Sequence, residues 1–303
     1  MQEWGPVVVG LDGSACGRAA LRYGIAEAQR TGTGLELVYA PEWPYLHNAT
    51  QWWAGREPGE QPLSEGLAEV RHAAPDLKVV ATVADASASD VLITRSATAT
   101  AVVVGAHGAH GFGTLHLGAT SVQVALHGRG PVVVVPGGEH RLDGPVVVGV
   151  DESEGAGLAL WYALRAASLR GTELVVVHAW QPPRPQWPHR IQPLPGSFEE
   201  LEALQRKVVD AALERWHSAF PDVPVRRRLL PGEPAPTLLA ASARAGLLVV
   251  GAHGVGALRG PWVGSVARCV LEKASCPVAV VHPHPHQHRP DRPPYAAVAA
   301  AHG

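Results

Sequence analysis

Four glycine and serine positions late in the chain have the spacing of an anion cradle. Gly251 and Gly254 are separated by two residues, and nine more lead to Gly264-Ser265. The stretch lies between an apolar run, Leu247-Leu248-Val249-Val250, and a segment from Ser265 through Val266, Ala267, Val270 and Leu271 with helical periodicity. Strand, glycine loop and helix follow in that order. Glycines let the backbone approach a ligand closely, and a helix start offers unpaired N–H groups at the positive end of its dipole. The expected guest is a phosphate-bearing anion. Arg259 inside the loop can add charge, and Ser265 can give a hydroxyl to the anion or cap the helix.

Two carboxylates belong to the same chemistry. Asp12 and Asp151 each end an apolar run, Val7-Val8-Val9-Gly10-Leu11 and Val146-Val147-Val148-Gly149-Val150. There a carboxylate can accept from a ribose hydroxyl or hold a Mg2+ that bridges phosphates, and capping the next helix is the plainer role for the same residue. His107, His110, His116 and His253 crowd the glycine loops, yet their spacing matches no zinc pattern. The tail histidines His282, His284, His286 and His288 could bind a transition metal, adventitiously or as a physiological site.

The elements that must hold these residues occur twice. Val7–Ser14 matches Val146–Ser153, Leu35–Ala40 matches Leu174–Ala179, and Val102–Gly108 matches Leu248–Gly254. Each half predicts five strands alternating with four helices. The strands fall near 6–11, 35–40, 77–83, 101–105 and 132–135, and again near 146–150, 173–179, 224–230, 247–251 and 278–281. The first-half helices fall near 16–31, 63–74, 88–98 and 119–127. Strands apolar on both faces and separated by helices make an α/β parallel sheet covered on both sides. Ligands of such doubly wound sheets bind at the carboxyl ends of the strands, where strand order reverses. The Pro- and Trp-rich stretches 41–62 and 181–198 read as loops over the end of the second strand. Residues 136–144 form a linker.

The first-half copy of the loop is altered. Gly105, Gly108 and Gly118 keep the glycine spacing, but Ala119 stands in place of Ser265 and Gly113 in place of Arg259. Thr120 and Ser121 follow closely enough to offer a hydroxyl.

The pattern Gly251, Gly254, Gly264, Ser265, with Arg259-Gly260 inside it and Val266-Ala267 behind it, resembles the ATP-binding signature of the universal stress protein family. The resemblance implies two tandem domains, 1–138 and 145–282, each a five-stranded parallel sheet of order 3-2-1-4-5 flanked by helices. The first carries a degenerate nucleotide motif and the second an intact one. It further implies ATP with Mg2+, bound chiefly in the second domain by Asp151, Ala179, Gly251, Gly254, Arg259, Gly264, Ser265, Val266 and Ala267. Ala179 would contact adenine through its main chain. The first-domain counterparts are Asp12, Ala40, Gly105, Gly108, Gly118 and Thr120.

A regulatory stress-response module, whose ligand shifts a conformation or a partner surface, is the function this implies. A slow ATPase or phosphoryl-transfer enzyme is the alternative, disfavoured because the loop lacks a dedicated lysine and a base to orient water. A scaffold that binds no nucleotide is the third reading. No Gly-Lys-Ser/Thr loop, no G-x-G-x-x-G after either first strand and no G-x-S-x-G elbow points elsewhere.

Length and composition bound the rest. The 303 residues accommodate two domains, and a formal charge of -2 gives no electrostatic reason to expect nucleic acid or an anionic membrane. The N-terminal residues lack a signal-peptide pattern, and Cys16, Cys269 and Cys276 lack C-x-x-C spacing, so a reducing cytoplasmic location is expected. The tail 283–303 alternates His with Pro and then fades into Ala, a composition expected to be disordered. The apolar last strands, Val132–Val135 and Val278–Val281, are hazards if bare and are expected to meet in an internal pseudo-dimer. A homodimer and a regulatory protein partner remain open.

Overall fold

The computed structural model describes residues 5–40, 60–108, 117–181, 197–254 and 264–283. They fall into two compact units, one made of the residues up to His140 together with His282 and Pro283, and one spanning Arg141–Val281. Arg259, Gly113, His110 and His116 lie outside the described residues, as do most of the two Pro- and Trp-rich stretches and the tail from residue 284.

In the first unit the order is β1 (Val7–Gly10), α1 (Ala15–Thr31), β2 (Leu35–Tyr39), α2 (Glu60–Ala73), β3 (Val79–Val83), α3 (Ala88–Ser96), β4 (Ala101–Gly105), α4 (Ala119–His127) and β5 (Val132–Val135). Its sheet runs β3-β2-β1-β4-β5 with every described pairing parallel. Val7, Val9, Val102 and Val103 are fully buried, as strands covered on both faces require.

The second unit repeats the plan. It holds β6 (Val146–Gly149), α5 (Glu154–Arg170), β7 (Leu174–Trp180), α6 (Phe198–His217), β8 (Val225–Pro231), α7 (Pro234–Ala241), β9 (Leu247–Gly251), α8 (Ser265–Lys273) and β10 (Val278–Val281). Its sheet runs β10-β9-β6-β7-β8, again parallel. In sequence order within each unit this is 3-2-1-4-5, and the first and fourth strands flank the reversal.

Local chemistry fixes the helix ends nearest that reversal. α1 and α5 begin at Ser14 and Ser153, whose hydroxyls accept from Gly17 N and Ala156 N, and both end at a glycine in the left-handed region, Gly32 (φ 66°) and Gly171 (φ 61°). Serine caps and glycine stops of this kind set where each helix can start and finish. α6 starts at Ser197 with a reciprocal capping box to Glu200. Among the described residues no helix is long and apolar enough to cross a membrane.

Candidate functional site

Asp151 follows β6 and enters the space in front of the glycine loop. Its Oδ1 accepts from Ser153 N at 2.9 Å and from the Ser153 hydroxyl. The same hydroxyl accepts from Ala156 N at 3.1 Å, and it lies 3.3 Å from the His253 carbonyl. One serine therefore caps α5, orients the aspartate and touches the loop. The helix cap is Ser153, and Ser14 in the first unit, so capping is not the role of Asp151 or Asp12.

Three glycines shape the loop by what they leave out. A Cβ on Gly251 would lie 2.8 Å from both the carbonyl carbon and oxygen of Gly155, so the end of β9 runs against the first turn of α5 without room for a side chain. At Gly254 a Cβ would stand 2.7 Å from Asp151 Oδ2. The carboxylate thus faces bare backbone. Gly264 N donates to Ala252 O at 2.8 Å, and a Cβ on Gly264 would be 3.6 Å from Gly254 N, so the chain returns beside the point it left.

Gly264 is also the N-cap of α8 and supplies no side-chain cap. Ser265 is therefore the first helical residue, exposed, instead of the cap; its hydroxyl is left to face solvent or a ligand. Val266 is half-buried and Ala267 buried, so Val266 and Ala267 can meet a phosphate only through main-chain N–H groups. Asp151, Gly254, Gly264 and the start of α8 converge, which joins a carboxylate to a donor-rich helix end. Such a place suits a phosphate chain whose charge is partly met by a cation.

Ala179 lies in β7, two residues past Val177, whose carbonyl accepts from Val150 N at 3.0 Å. It is half-buried at the same carboxyl end of the sheet. Beside it, His178 is buried, with Nδ1 donating to Val150 O at 2.8 Å and Nε2 meeting the Gln205 amide at 2.9 Å. This histidine ties β7 and α6 to the residue before Asp151. Its sequence position, inside an apolar strand, gave no sign of that role, and the first unit has Tyr39 there.

The first unit reproduces the scaffold with different chemistry. Ser14 N donates to Asp12 Oδ1 at 2.9 Å, the Ser14 hydroxyl lies 3.3 Å from His107 O, and a Cβ on Gly108 would be 3.0 Å from Asp12 Oδ2. Gly105 runs against Cys16, and Gly118 caps α4 and donates to Ala106 O at 2.8 Å. Ala119 and Thr120 are exposed at the start of α4. Ser121, near enough in sequence to substitute for the missing serine, is instead buried and donates to Gly105 O at 2.6 Å. Only Thr120 keeps a hydroxyl available. Ala40 follows β2 and is half-buried; Tyr39 O beside it accepts from Ala84 N at 2.8 Å.

Among the described residues no group of three His, Cys, Asp or Glu side chains could hold a metal. A Mg2+ needs less, since it keeps waters and takes one or two carboxylates plus phosphate oxygens. The Asp151 carboxylate, with the space at Gly254 that a Cβ would fill, fits that requirement.

The sequence profile of the Universal stress protein family matches residues 3–136 and 144–282. A universal stress protein of Mycolicibacterium smegmatis is 33% identical over 297 residues, covering 93% of this chain and 98% of its own. One from Mycobacterium tuberculosis is 32% identical over 299 residues, covering 90% and 94%. The crystal structure of a universal stress protein from Archaeoglobus fulgidus superposes with a TM-score of 0.60 at 18% identity, over 91% of this chain and 98% of that one. With the strand order and the sequence match holding in both halves, the chain belongs to the universal stress protein family, as a tandem of two of its domains.

Proposed function

We propose that the second unit binds ATP with Mg2+ and that the protein works as a nucleotide-responsive regulatory module. The observation that carries this reading is the convergence of the Asp151 carboxylate with the side-chain-free backbone of Gly254, beside a helix start capped only by Gly264. Phosphates would lie along Gly251, Gly254 and Gly264 and reach the Ser265 hydroxyl, with Asp151 holding the ribose or the cation. Adenine would meet the main chain at Ala179. Arg259 would add charge to the phosphate end.

The first unit is the weaker site in this reading. Its helix start offers Ala119 in place of Ser265, and the hydroxyl of Ser121 is committed to Gly105 O. Binding without turnover is the expected behaviour. Mass spectrometry of protein released under denaturing conditions should find co-purified adenine nucleotide, and calorimetry with Mg2+ and ATP should find one dominant site. Absence of nucleotide together with a flat titration would remove the proposal.

A further inference from the structure

A second concave site lies at the other end of the second unit, where strands start. Gly144 and Pro145 precede β6, Glu173 precedes β7, and Arg244 lies between α7 and β9. With Arg226 and Arg228 of β8 they bound a cavity of about 390 Å³, within the range of about 300–1,000 Å³ typical of small-ligand sites. It is far from the glycine loop, which sits at the carboxyl ends of the same strands.

The pleat decides which arginines reach it. Val147 pairs with Val175, and Val175 with Arg226, so these three make a row across β6, β7 and β8. Arg228, two residues on, shares the face of Arg226. Arg227 turns to the opposite face and pairs with Asp210 of α6 at 2.9 Å. The cavity therefore has an apolar floor of Val147 and Val175 and a cationic rim of Arg141, Arg226, Arg228 and Arg244.

Its charges do not balance. Glu173 is taken by Arg226 through two hydrogen bonds, and Arg141 stands 3.9 Å from Asp143 with both side chains exposed. Arg228 and Arg244 have neither an ion pair nor a side-chain hydrogen bond among the described residues. The backbone beneath the rim is tightly built. A Cβ on Gly144 would lie 2.9 Å from Arg244 O, and one on Gly246 would lie 2.9 Å from Arg141 O. Gly246 N also donates to Pro145 O at 2.9 Å, so the two segments bearing Arg141 and Arg244 are fixed against each other.

The corresponding cavity of the first unit, about 330 Å³, is lined by fewer cations, Lys78 and Arg95, beside the carboxylate of Glu36. There Val80 and Thr82 occupy the β3 edge, and Glu36 is engaged by Arg95 and Thr82, each at 3.1 Å. A charged edge protects against strand pairing, but β3 carries Val80 at 62% exposure without such protection.

We propose that the cavity of the second unit is a separate anion site, for a small molecule bearing two or more phosphate or carboxylate groups. Guanidinium forks match both groups bidentately, and two unpaired forks on different segments favour an anion with two charged ends. The formal charge of -2 for the whole chain argues against an extended nucleic-acid surface.

The test uses the full chain carrying Gly254→Val, which blocks the glycine loop, and titrates it with tripolyphosphate and separately with citrate at low salt. One site is expected, with the tighter ligand telling phosphate from carboxylate. Adding Arg228→Ala and Arg244→Ala should weaken that site by about tenfold or more, whereas adding Arg227→Ala should leave it unchanged. Both Arg228 and Arg244 are exposed, so thermal melting should confirm an intact fold. If Gly254→Val is poorly folded, the same arginine variants in the wild-type chain should lose one of two tripolyphosphate equivalents. Unchanged affinity in the double arginine variant overturns the proposal, as does binding of poly-glutamate with none of either small anion.

Discussion

Replacing Gly254 by Ala adds a single carbon 2.7 Å from Asp151 Oδ2, closer than the two atoms can stay. Gly254 has no positive φ, so the substitution itself brings no backbone strain. Relief must come from the carboxylate or from the loop. Moving Asp151 disrupts the contacts that Ser153 makes to Oδ1, and moving Gly254 draws the loop away from the start of α8. Either way, a ligand held by both loses at least one charge-assisted contact. That contact is worth about 1.5–3 kcal/mol, so affinity for ATP should fall by roughly ten- to 150-fold. Stability should change by no more than about 1 kcal/mol, the worth of one hydrogen bond. Gly108→Ala makes a milder approach, 3.0 Å from Asp12 Oδ2, in the unit that lacks the serine, and should alter the titration little. Calorimetry with Mg2+ and ATP on wild type and both variants, with thermal melts alongside, measures the two effects separately. Wild-type affinity in Gly254→Ala would refute the reasoning, and so would an equal loss in Gly108→Ala.

Gly251→Ala sets a carbon against the main chain of Gly155, which cannot swing aside as a side chain can, and should cost about 1–3 kcal/mol of stability in urea denaturation. Burial pushes the Cys276 thiol up to about 11, so it stays protonated at neutral pH; iodoacetamide followed by mass spectrometry should label the half-buried Cys16 and Cys269 first. The hydrogen bond from Arg226 holds the Glu173 carboxyl below its ordinary value of 4.5. A depressed folded-state value means that the pair adds stability above about pH 4.5 and loses it as pH falls through the lower value. Arg226→Ala should therefore reduce the acid dependence of the melting temperature in that window, and an unchanged profile would show that the exposed pair contributes nothing.

The inner strands and their repetition were legible because they are runs rich in valine and leucine buried on both faces, as a covered parallel sheet requires, whereas the edge strands β3 and β8 are largely exposed. The start of β6 and the end of β9, for instance, follow directly from Val146 and Gly251. The glycine loop was legible for a related reason, since Gly251 and Gly254 are needed where backbone and carboxylate pass too closely for a Cβ. What spacing could not reveal was how hydroxyls are divided. Ser153 serves Asp151, the helix cap and the His253 loop at once, whereas Ser121, an apparent substitute for Ser265, faces inward to Gly105 O. The arginine rim was invisible for a geometric reason. Arg226, Arg227 and Arg228 are consecutive, and only the register with Val175 separates the outer two from the middle one, which turns to the other face.

The unlike edges of β3 and β8 have a bearing on how this protein could diversify. A complex of two identical chains repeats every substitution in both copies, so an edge rich in arginine on one copy appears on the other as well. Here the copies share one polypeptide, and each accepts mutations alone. One edge turns Val80 and Val83 to solvent, and the other carries consecutive arginines. A single tandem molecule can therefore carry two unlike edges, one apolar and one cationic, in fixed stoichiometry.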